Sequence, residues 1–144
     1  VRLWHKDLIK VLPQKQLVAQ WRECCAILSN IAKKGTPNHI LVNYVLSYSL
    51  DEFRAYTNEV IKEMRHRGYK VSSISVKNFN ENKTEAWKYF NNDFKTSELY
   101  EFIHNDRYFW QCYFNLQEKY DRGMFSKQEW KMIEEEGKHH GKTN

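Results

Sequence analysis

Glu23 is the residue whose surroundings first suggest chemistry. It follows Arg22, and the nearest acid in sequence is Asp7. Residues 1–34 hold 7 Lys/Arg against 2 Asp/Glu, a net +5 that equals the charge of the whole 144-residue chain. Cations lower a carboxyl pKa, so this setting predicts an ionised Glu23 suited to stabilising a cationic intermediate. The plainer reading is a solvated helical glutamate paired with a Lys or Arg. A second reactive group is the α-amino group of Val1. Such an amine titrates near ~7.7–8.0, and a neighbouring cation such as Arg2 enlarges its neutral fraction. A neutral amine can form a Schiff base with a sugar aldehyde carbon, as active-site lysines do. Every chain has such an amine, so its neighbours must give it a role. His39 follows a Pro-Asn turn and is either an auxiliary polar group or a structural one.

The remaining candidates bind rather than react. Arg2, Lys6, Lys10, Lys15, Arg22, Lys33 and Lys34 could neutralise phosphates, or be an ordinary solvated surface. Aromatic residues are 15% of the chain, and Trp4, Tyr44, Tyr48 and Trp110 could wedge between or stack on bases, or fill a core. The pI near 9.0 suits an anionic partner. Cys24, Cys25 and Cys112 cannot all pair within one chain, which points to a reduced, cytoplasmic setting. No zinc spacing is present, so no metal and no cofactor are expected, and the sequence offers neither a membrane span nor a signal peptide.

These residues need elements to hold them. Scarce glycine (5) and proline (2) favour a few long helices, and 144 residues suit one domain. We therefore expect an all-α, compact single-domain helical bundle over residues 1–144, with three long helices, short extra helices and a frayed tail from about 137. Beyond Pro13, the residues Leu17, Trp21, Cys24, Cys25, Leu28, Ile31 and Ala32 form one helical stripe, closed by Lys33-Lys34-Gly35. With Leu17 at zero on the helical wheel, Glu23 and Gln16 share one flank and Arg22 takes the other. A second helix starts with a Ser49/Glu52 capping box and ends at Arg67-Gly68. Tyr69–Val76 reads as extended and Asn78–Lys83 as a polar loop. Trp87, Tyr89, Phe90 and Phe94 suggest a short helix. The third long helix is expected from about Ser97 to Arg122, with a possible break and new cap at Asn105-Asp106. A short last helix begins at the Ser126/Glu129 capping box.

Three segments together carry a family resemblance. Gln16-Leu17-Val18-Ala19-Gln20-Trp21-Arg22-Glu23 resembles the first helix of the pyrimidine-dimer DNA glycosylases of the phage endonuclease V type. His39 before an apolar run, Phe53, and Arg67-Gly68-Tyr69 follow in the family's order. Asn115-Leu116-Gln117-Glu118-Lys119 is a weaker third match. The opening Arg-Leu-Trp-His-Lys-Asp-Leu is also similar to that of bacterial relatives. The resemblance is good over residues 1–72. It implies an all-α, metal-free enzyme that cuts the glycosidic bond of the 5′ pyrimidine in a UV-induced dimer. Its N-terminal amine attacks C1′ to form an imine, a glutamate assists, and β-elimination nicks the strand. The duplex is kinked and a base flipped out.

Carried over residue by residue, Glu23 matches the catalytic glutamate and Val1 supplies the amine. Arg22 matches the adjacent phosphate-binding arginine, Arg2 the arginine beside the nucleophile, and Lys119 a late-helix lysine. Lys6 joins the expected DNA-binding set, with Gln16 and His39 as auxiliaries. The departures are specific. The family exposes an N-terminal Thr where Val1 stands, and ungapped counting from Glu23 puts Arg2 opposite that Thr. Gln16 replaces a His, and Asn115 a basic residue. The C-terminal aromatic motif has no clear counterpart, although Trp130 is a candidate. The implied partner is UV-damaged double-stranded DNA, bound by a monomer. A non-catalytic nucleic-acid-binding module on the same scaffold and an aromatic-rich protein-interaction domain are the alternatives.

Overall fold

The computed structural model describes residues 2–143, with side chains described for 2–141. It is all-α, and no strand occurs among the described residues. An extended arm leads into a 3-10 turn at Lys6–Val11. Then come α1 (Gln14–Lys34), α2 (Ile40–Asn43), a 3-10 turn at Tyr44–Ser47 and α3 (Leu50–His66). They are followed by α4 (Ser73–Ala86), a 3-10 turn at Trp87–Tyr89, α5 (Asp106–Asp121) and α6 (Lys127–Thr143). The helix α1 packs against both α3 and α4, while α6 packs on α5 and on the first 3-10 turn. Leu17, Trp21, Cys24, Leu28 and Ile31 bury the stripe read from the sequence. Gly35 ends α1 at φ 88, with its N–H donating to Ile31 O at 2.9 Å. A Cβ there would strain the backbone and meet the Tyr89 ring at 3.1 Å, so glycine is required.

The Ser49 cap forms, with Glu52 N donating to Ser49 Oγ at 3.2 Å. The reciprocal half of the box does not. The Glu52 carboxylate instead accepts from Thr96 Oγ1 and from Tyr100 N (3.1 Å), fastening the 96–100 loop to the start of α3. Tyr100 there has φ 50. The Ser126/Glu129 box closes fully.

Three expectations are corrected. Residues 73–86 are helix α4, not a strand followed by a polar loop. Ser72 caps it through Ser75 N, and Phe79 and Ala86 are its buried positions. Phe79 sits 5.6 Å from Trp21 and 6.1 Å from Phe53, so it bridges α1 and α3. The serines between Val71, Ile74 and Val76 mimic a strand's period, while α4 takes its place from packing. The long helix from Ser97 begins only at Asp106, where the Asn105 side chain accepts from Tyr108 N, and residues 97–104 are turns. Among the described residues, the tail expected to fray from about 137 is helical: α6 continues to Thr143. Its contact stripe is Trp130, Ile133, Gly137 and His140. A Cβ on Gly137 would lie 2.6 Å from the Tyr113 ring, and His140 stacks on Phe109 at 3.8 Å with ring planes 5° apart. Five helices of 14 to 21 residues result, not three.

Candidate functional site

The arm from Arg2 to His5 has no regular hydrogen-bonding partner strand, yet Leu3, Trp4 and His5 are buried. Buried backbone groups must find partners, and here side chains supply them. Gln20 of α1, fully buried, accepts from Trp4 N at 2.7 Å and donates to Arg2 O at 3.1 Å. The Tyr56 hydroxyl of α3 donates to Trp4 O at 2.6 Å and lies 2.9 Å from Gln20 Oε1. Tyr108 of α5 donates to Leu3 O. Lys6 N donates to His104 Nδ1 at 3.0 Å, and Asp7 N to His5 Nδ1 at 3.1 Å.

Those two amide donors fix the tautomers of a buried histidine pair. With Nδ1 accepting, each ring carries its proton on Nε2. His5 Nε2 donates to His104 O at 2.9 Å, and His104 Nε2 donates to the Tyr44 hydroxyl at 2.9 Å. Burial pushes the His5 pKa down to about 4, against the pull of Asp7. Burial also holds His104 well below the ordinary histidine range, with His5 and Lys6 adding to the effect. Both rings are neutral struts.

Gln20 also reaches the candidate carboxylate. Residues 20 and 23 are neighbours on one helix face, and Gln20 Nε2 donates to Glu23 Oε2 at 3.3 Å. The same amide thus holds both the arm and Glu23. Arg2, Trp4, Glu23, His39, Leu41, Asn115 and Lys119 line one cavity of about 330 Å³. The Arg2 guanidinium lies 5.7 Å from the Trp4 ring centre. Among the described residues, Glu23 is the only carboxylate lining the cavity, and Arg2, Glu23 and Lys119 form no ion pair.

The expected direction of the Glu23 pKa is corrected. Burial raises it, outweighing the hydrogen bond from the Arg2 backbone and the attraction of Lys119 and His39. Half-burial beside only partly compensating cations makes the carboxylate costly. Glu23 is therefore better suited to holding and releasing a proton than an exposed glutamate is.

The structure gathers Arg2, Glu23, His39, Lys119 and Asn115 into this cavity and leaves other candidates outside it. Lys6 pairs with Asp7 (3.6 Å) and Glu98 (3.9 Å) and faces a different hollow. Arg22 is exposed on α1 and does not line the cavity. Gln16 is half-buried, with its Oε1 unpartnered among the described residues. Val1 lies outside the described residues. Gln20 was missed because an uncharged side chain on a helix flank carries no chemical signal. Its place one helical turn before Glu23 was the available clue. Among the described residues, no three His, Cys, Asp or Glu are grouped to hold a metal ion, and no helix is long and apolar enough to cross a membrane.

A family model described as pyrimidine dimer DNA glycosylase matches residues 1–75. No curated protein and no solved structure matches the chain. The matched segment holds the arm, α1 with Gln20 and Glu23, His39 and all of α3, while Asn115 and Lys119 reach the cavity from α5. It spans just over half of the sequence and contains Glu23 and most of the described lining of the cavity, and the chain belongs to the pyrimidine dimer DNA glycosylase family.

Proposed function

We propose that this chain cuts the glycosidic bond of the 5′ pyrimidine in a UV-induced dimer in duplex DNA and nicks the strand as an AP lyase, acting as a monomer and a single domain. The observation that carries this reading is the cavity in which Glu23 meets Arg2, His39 and Lys119, with the arm and the carboxylate held by one glutamine. The α-amino group at position 1 is the nucleophile. Its nitrogen bonds to C1′ as the glycosidic C1′–N bond breaks, and the departing base takes the electron pair and a proton. Opening of the sugar ring then gives a protonated imine. Loss of a proton from C2′ expels the 3′ oxygen, so the strand is cut with its phosphate as leaving group.

Glu23 serves this sequence in two ways. Its protonated form can give a proton to the opening sugar ring, and its carboxylate can take the C2′ proton. The raised pKa makes the protonated form more accessible than it is for an exposed glutamate. Arg2 and Lys119 hold phosphates beside the reacting sugar, and exposed Arg22 extends this cationic rim. Mixing the protein with UV-irradiated duplex and borohydride tests the reading. A covalent adduct mapping to the N-terminal peptide is expected. DNA binding without an adduct would overturn the chemistry and leave a binding module on the same scaffold, a reading to which the uncharged Asn115 in the cavity gives its support.

A further inference from the structure

The rim of the cavity carries an apolar feature that imine chemistry does not use. Ile40 is the most exposed large hydrophobic residue described, at 88%, and its neighbour Leu41 is 42% exposed. His39 precedes this pair and lines the cavity, as does Leu41 itself. The next residue, Val42, turns inward and is buried. The pair is thus held out on a fixed support. Val42 N and Asn43 N both donate to His39 O, at 3.1 and 2.9 Å. Buried Pro37, Val42 and Val45 anchor the turn on either side.

Scattered exposed aliphatic residues are ordinary on a protein surface. Two consecutive ones at the mouth of a cavity lined by Arg2 and Lys119 are a different case. Whatever docks there must present negative charge to the cations and an apolar slot to the pair. A duplex offers both at one place: phosphates on its rim and stacked base faces inside. Proteins that kink DNA do so by inserting Ile, Leu, Phe or Met between base steps.

We infer that Ile40 and Leu41 form a wedge that enters the base stack beside the damaged nucleotide and opens it toward Glu23. This rests on the damaged-duplex reading above and assigns those two residues a positioning role. Unstacking is the step that brings a base-paired sugar within reach of a group fixed in a cavity. A wedge already held out on the surface is placed to perform it.

The test uses the full chain and a duplex with 2-aminopurine, which brightens when unstacked, next to a pyrimidine dimer. Each variant is added to saturation. Wild type should brighten the probe, and Ile40→Ser/Leu41→Ser should give less than about half of that rise. Ile74→Ser removes a 70%-exposed aliphatic residue outside the cavity and should leave the signal intact. Incision of the matched duplex should fall about tenfold in the double variant and recover when mismatches beside the dimer ease unstacking. Should the double variant melt, Ile40→Ser alone keeps the test valid, because that side chain has little to lose on the protein.

Full brightening by the wedge variants, or none by wild type, overturns the wedge. The two readings fail separately. Brightening without a borohydride adduct removes the amine chemistry and leaves the wedge. An adduct with undiminished brightening in the double variant removes the wedge and leaves the chemistry.

Discussion

Two hollows of similar size border the N-terminal arm and its 3-10 turn, and they treat charge in opposite ways. One, of about 430 Å³, is lined by Lys6, Asp7, Lys10, Glu59, Lys62, Glu63 and His66. There Lys6 pairs with Asp7, Glu63 with Arg67 at 2.8 Å and Lys10 with Glu136 at 3.3 Å. The other, of about 330 Å³, holds Glu23, Arg2 and Lys119 with no ion pair among the described residues. A surface that neutralises its own charges has little left for a ligand. Arg2 and Lys119, with no ion pair among the described residues, keep their charge for an anionic ligand, whereas half-buried Glu23 has the same sign as such a ligand and is not relieved by it. Basic composition alone could not separate the two.

The largest expected effect breaks this contrast outright. Glu23→Gln should lower incision of UV-damaged duplex by about 100-fold or more while binding stays within a few-fold, read by nicking and by retention on DNA. Lys6→Gln, in the paired hollow, should change incision by less than about twofold. The Glu23 substitution should also raise the melting temperature at neutral pH. A carboxyl whose folded pKa is raised loses stability as pH rises through that pKa, and a neutral amide escapes the loss.

Gln20→Leu comes next, because one side chain serves both arm and carboxylate. It strands Trp4 N and Arg2 O in the interior and should cost about 2–4 kcal/mol in urea unfolding. The histidine pair sharpens the same comparison through pH. Both folded pKa values lie below the ordinary 6.5, so the unfolded chain takes up protons first as pH falls. Stability should be intact above about pH 6.5 and fall by roughly 1–3 kcal/mol toward pH 4, measured by urea midpoints. His5→Gln should flatten that slope. The smallest effect is Lys119→Gln, which should reduce the salt dependence of DNA binding by about one counterion, with a few-fold loss of affinity.

Much of this architecture was legible in the residues. The α1 stripe, the caps at Ser49, Asn105 and Ser126, and the closing glycines at 35, 68 and 123 use local rules that tertiary context did not override. The family resemblance proposed Arg2, Glu23, His39 and Lys119 for one site, together with Lys6, Arg22 and Gln16, which do not line the cavity, and Val1, which lies outside the described residues. What escaped has a common cause. The face of α6 is completed by Gly137, valued for the space it leaves Tyr113, and by His140, valued for its stack on Phe109. Gln20 was valued for where its amide points. None of these uses registers as hydrophobicity or as reactive chemistry. The half of the Ser49/Glu52 box that failed was spent on the 96–100 loop, a partner 44 or more residues away.

The arm's hydrogen bonds end on α1, α3, the turn before α5, and α5 itself. Detachment of α1, α3 or α5 would break a hydrogen bond that holds Leu3 or Trp4 in place. Loss of incision on heating should therefore trace the same curve as loss of helix, and a protease should find the arm only in molecules that have unfolded throughout.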